Sequence, residues 1–128
     1  MTYYFAKTLN SDFEAAVQHA AEALKKEGFG IITEIDVRDT FKKKINVDFR
    51  NYRILGACNP ALAHEALQIE DKVGTMLPCN VVVQELSDGR IEVAAIDPVA
   101  SMQAIDNPHL HEAAARVREK LKRAVESL

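Results

Sequence analysis

The chain predicts an α+β fold in which a mostly antiparallel sheet of about five strands carries helices on one face. Three observations predict it. Two apolar stripes at helical spacing run from Phe13 to Leu24 and from Leu110 to Leu128. Five short apolar segments have strand length, and an Asp88-Gly89 turn joins the last two as antiparallel neighbours. Helices that each bury one stripe against one face of a sheet make a two-layer sandwich.

Taken in order, Thr2 to Thr8 is short and aromatic-rich and reads as a strand. Ser11 is then expected to cap a helix, with Glu14 three residues on completing a capping box. Phe13, Ala16, Val17, Ala20, Ala21 and Leu24 form its buried stripe, and Gly28 ends it. Phe29 to Ile35 is a second strand, with Phe29, Ile31, Thr33 and Ile35 on one face and Gly30, Ile32 and Glu34 on the other. Asp36 caps a short helix through Ile45, in which Val37, Phe41 and Ile45 share a face and the lysines point away.

A third strand runs from Phe49 to about Ala57. Asn59-Pro60 is a strong helix start, a capping side chain followed by proline at the first helical position. That helix turns Leu62, Ala63, Ala66 and Leu67 inward and stops near Glu70; Asp71 to Pro78 reads as a loop. Asn80 to Leu86 and Arg90 to Ile96 form the hairpin, ended by Asp97-Pro98. Val99 to Ile105 is a short helical or irregular linker, and Asn107-Pro108 opens the final helix. The run Val81-Val82-Val83 is more apolar than a half-wet strand needs, so a second copy of the chain over that sheet face is expected.

At 128 residues, without internal repeats or linkers, the chain is expected to form one domain over residues 1–128. The composition, 48% hydrophobic and 27% charged, is that of an ordinary globular protein. No apolar run approaches the roughly 20 residues of a membrane span. The opening Met1-Thr2-Tyr3-Tyr4-Phe5-Ala6-Lys7 lacks the pattern of a signal peptide. These readings predict a cytoplasmic protein without a membrane partner, in a compartment where a structural disulfide is not expected. A net charge of −3 argues against a nucleic-acid partner. Between Arg38 and Arg53 six basic residues face two acidic ones, which reads as a solvated surface or as a weak anion site at Arg38, Lys42 to Lys44 and Arg53.

The two cysteines stand in Cys58-Asn59-Pro60 and Pro78-Cys79-Asn80, each where one element ends and another begins. Cys58 precedes a helix start, whose positive end favours a thiolate; a small hydrophobe buried at a tight turn is the competing reading. Cys79 has no helix end beside it, so packing is the stronger reading there. Four-ligand zinc spacing is absent, and His64, His109 and His111 do not complete a set, which leaves a soft-metal site of Cys58 and Cys79. There is no Gly-x-Ser-x-Gly, no glycine-rich phosphate loop and no His-Glu-x-x-His. Asp97 before proline reads as a turn former, and Met76, Met102 and Tyr52 as core or interface filling.

The string from Tyr52 to Pro60, with Ala63, Ala66-Leu67, Gly74 and Leu77-Pro78-Cys79-Asn80-Val81-Val82-Val83, resembles a bacterial and archaeal family known as domain of unknown function number 302. Ile35-Asp36-Val37, Thr40 to Lys44 and Asp97-Pro98 carry the same resemblance. It implies a curved antiparallel sheet of the TATA-binding-protein-like class, pairing into homodimers, and lends no activity. It also implies that the Cys58 and Cys79 corners approach each other. The expected function is a homodimeric binding module with a small molecule or soft metal held near Cys58, Asn59, Cys79 and Asn80. Two alternatives stand beside it: a thiol enzyme using Cys58 with Cys79, and an interaction protein in which both cysteines only pack.

Overall fold

A computed structural model describes residues 2–128; Met1, the first residue of the opening read for a signal, lies outside them. Five strands, β1 (Tyr4–Leu9), β2 (Gly30–Asp36), β3 (Tyr52–Cys58), β4 (Cys79–Glu85) and β5 (Ile91–Ile96), form one antiparallel sheet in the order β1-β5-β4-β3-β2. The helices are α1 (Phe13–Lys26), α2 (Val37–Ile45), α3 (Pro60–Ile69), α4 (Pro98–Ser101) and α5 (Pro108–Glu126). Among the described residues no helix is long and apolar enough to cross a membrane.

Helices α1 and α5 cover one sheet face. Their buried residues Ala16, Ala20, Leu24, Leu121, Ala124 and Val125 pack with Leu55, Val81, Val83, Ile91, Val93 and Ala95 of the strands. Alternation explains the valine run: Val81 and Val83 enter this core, and Val82 points to the opposite face. On that open face Ile54, Val82, Ala94 and Ile96 are half-buried, while Tyr4 and Ile35 are largely exposed.

The local readings differ from the structure in several places. Leu67, expected to face inward, is exposed, and β3 begins at Tyr52 rather than Phe49. Asp12, not Ser11, caps α1, its carboxylate accepting from the Ala15 amide at 2.8 Å. Glu14 makes no capping box; it holds Arg53 at 2.9 Å, whose guanidinium also meets Glu34 and lies 5.1 Å from the Phe13 ring centre. In β2 the register shifts between Ile31 and Thr33, so the predicted two-face alternation breaks at Ile32. The stretch 71–76 is a 3-10 turn anchored by fully buried Val73 rather than an open loop. Finally, Leu86 and Arg90 bond to each other, which makes the hairpin connection the three residues Ser87-Asp88-Gly89.

The two Asn-Pro starts hold as predicted, and Asp97-Pro98, read as a strand end and turn, also opens a helix, α4. Asn59 accepts from the Leu62 amide, Asn107 from those of His109 and Leu110, and Asp97 from that of Val99. Asp97 is also an ion-pair partner, its other carboxylate oxygen lying 3.2 Å from Arg118 Nε.

Candidate functional site: an apolar cavity at the cysteine corners

The end of β3 and the start of β4 are paired neighbours, with Ala57 opposite Cys79. This register brings the two cysteine corners together, and the local sequence explains the closeness. A Cβ at Gly56 would stand 2.0 Å from Thr33 Oγ1 and 2.7 Å from Pro78 Cγ, so glycine is what lets Pro78 lie against β3. The Leu77–Pro78 peptide is cis. At the other corner Gly28 has φ +90°, and a side chain there would meet Asn59 Nδ2 at 2.9 Å. The end of α1 thus abuts the cap of α3.

Between these corners and α5 the layers do not close, leaving a cavity of about 230 Å³. Ala57, Cys58 and Cys79 line it from the sheet, with Leu77 and Pro78 beside them. Leu62, Ala63 and Ala66 of α3 face Leu110, Ala113, Ala114 and Val117 of α5 across it. Phe29, Pro98 and Met102 complete the buried wall. The cause of the space is visible in the side chains: both facing helices present alanines where a packed core would carry leucines. Ile32, released by the register shift in β2, lines the cavity while 61% exposed, so it marks the mouth.

Of the residues singled out from sequence, Cys58, Asn59 and Cys79 line this cavity and Asn80 does not. Asn80 follows Cys79 in the strand alternation and is exposed, opposite Gly56 on the open face. Cys58 is half-buried and Cys79 buried, and neither is in a disulfide. Burial pushes the Cys79 thiol up to about 11, and the neighbouring Cys58 adds to the shift. Cys79 therefore keeps its proton near neutral pH. Among the described residues no histidine, carboxylate or basic side chain lines the cavity. Nor do those residues contain a group of three or more His, Cys, Asp and Glu fit to hold a metal ion. His64, His109 and His111 are all exposed.

The basic run gathers no free cluster. Lys42 pairs with Asp48, Lys43 with Asp39, and Arg53 with Glu14, Glu34 and Asp36. Arg38 bonds Asn51.

Sequence reasoning did not foresee most of the cavity wall. Met102, expected to fill a core or interface, is buried in a core beside Val73 and Leu110, and it also borders the cavity. The available signal was the alanine content of two helices that face each other, Ala63 and Ala66 against Ala113 and Ala114.

Comparison with known proteins agrees with the fold. The sequence matches the family described as "Domain of unknown function DUF302" over residues 5–128, and the chain belongs to that family. It is similar to an uncharacterized conserved DUF302 protein from Bacillus stearothermophilus, known from a crystal structure. The two are 26% identical, with a TM-score of 0.91 over 98% of each chain. No curated protein matches it.

Proposed function

We propose that this DUF302 member is a cytoplasmic, homodimeric, non-enzymatic binding module whose small guest sits between the Cys58 and Cys79 corners. The cavity carries the reading: a domain of this size seldom leaves about 230 Å³ open in its interior, bordered by both of its thiols. The absence of charged or basic side chains from the described wall favours binding over catalysis. A protonated Cys79 likewise offers little as a thiol nucleophile. A second copy over the open face would cover Ile54, Val82, Ala94 and Ile96, which a solvated sheet face would not carry together.

A soft metal is the second guest the wall suits, because Cys58, Cys79 and Met102 supply the sulfur donors such ions prefer. Stoichiometric silver uptake that needs both thiols would favour this guest over an organic one.

Thiol labelling tests the binding reading. In the native protein N-ethylmaleimide should modify Cys58 readily and Cys79 only at high pH or on unfolding. If both thiols stay inert until the protein unfolds, the cavity is closed to small molecules and the reading fails.

A further inference from the structure

We infer that the cavity at the cysteine corners takes a neutral, apolar small molecule, about the size of a fused pair of aromatic rings, and admits no charged headgroup. The inference rests on the binding reading above and specifies the chemistry of the guest.

Size is the first argument. An apolar cavity of about 150 Å³ stays dry and holds benzene. The cavity here is about 230 Å³, so it has room for a guest about one and a half times as large. The second argument is the wall. Asn59 brings the one amide side chain, and its Oδ1 is already engaged by the Leu62 amide at 3.2 Å. A bound water needs two to four polar partners, and this wall does not offer them. A carboxylate or phosphate would lose its hydration here without meeting a counter-charge among the described residues.

Cys79 reports the same preference from within. Desolvation is the largest cause of its raised pKa, so the site already disfavours a thiolate at Cys79. Depth argues for a free small molecule rather than a flat macromolecular surface. Leu110 is 0% exposed, and Cys79 and Met102 are buried behind the Ile32 mouth.

The test compares naphthalene with 2-naphthoate, two probes of one ring system that differ in charge. Saturation-transfer NMR reads binding, and Cys58 labelling by N-ethylmaleimide reads occupancy. Naphthalene is expected to bind at least tenfold tighter than naphthoate and to slow Cys58 labelling. Ala66→Leu should weaken naphthalene at least tenfold while circular dichroism shows the fold intact. If that variant does not fold, Ala63→Leu, nearer the surface, takes its place. Naphthoate binding as tightly as naphthalene would overturn the inference and leave the binding reading standing. Failure of both probes to bind would overturn the inference, and the binding reading falls with it only if both thiols also stay inert to N-ethylmaleimide until the protein unfolds. Naphthalene binding confined to dilute monomer would assign the cavity to a side chain of a second copy, and would also overturn the inference.

Discussion

The same sheet face and the same helix α5 build two very different interiors. Toward the C-terminal end of α5, Ala20, Ala23 and Leu24 of α1 meet Ala124 and Val125 over Val81 and Val93, and only about 10 Å³ is left between them. Toward its N-terminal end, α3 faces Ala113 and Ala114 over Ala57 and Cys79, and about 230 Å³ stays open. Both ends are rich in alanine, so alanine alone does not make a cavity. At the tight end the alanines sit beside Leu24, Leu121 and the strand valines, which fill the space between the layers. At the hollow end alanines oppose alanines across the gap, and Leu62, Leu77 and Met102 border it without filling it. Small side chains stabilise where they admit a large neighbour and leave room where they face each other.

The contrast breaks most visibly at Leu121, which is fully buried in the tight half. Leu121→Ala should cost about 2–5 kcal/mol, read as a lower urea midpoint at unchanged slope. A loss below about 1 kcal/mol would mean that this half is not the close-packed one.

Enlarging alanines sharpens the comparison. Ala20→Leu overfills the tight half and should cost about 1–3 kcal/mol. Ala66→Leu places the same atoms in open space, so its stability should stay within about 1 kcal/mol of the parent or exceed it. Equal losses in the two variants, measured side by side in urea, would erase the distinction between the halves.

The subtlest difference is electrostatic. The folded state holds the Cys79 proton more tightly than the unfolded chain, whose thiol has the ordinary value of 9.0. Its contribution to stability is therefore complete below that pH and disappears as pH rises toward about 11. A shift of this direction and size corresponds to at most roughly 2–3 kcal/mol. Cys79→Ala should lack that component, so the parent's stability should fall more steeply than the variant's across this range. Parallel pH profiles would show that the hollow half does not disfavour the thiolate.

The sheet and its helices were legible because period and punctuation agree. The Asn59-Pro60 and Asn107-Pro108 starts, the Gly28 stop and the two helical stripes each act locally, and tertiary contacts left them in place. Misreadings arose where one side chain had two suitors. Glu14 suits a capping box, but Arg53, distant in sequence, holds it. The shift at Ile32 has no local signal either, since it depends on how β2 registers against β3. At the site the cysteines were findable from their junctions, and Asn59 from its cap. Asn80 shares the Cys-Asn spelling of Asn59, and strand alternation separates it from the site. The cavity itself was not legible, because empty space belongs to the meeting of α3 and α5 and to no residue alone.

The most direct measurement is a crystal of the protein pressurised with xenon, a neutral apolar atom that seeks dry cavities. The account predicts xenon between Cys58, Cys79 and Met102 and none between α1 and the C-terminal half of α5. Ordered water filling the cavity, with no xenon there, would contradict it.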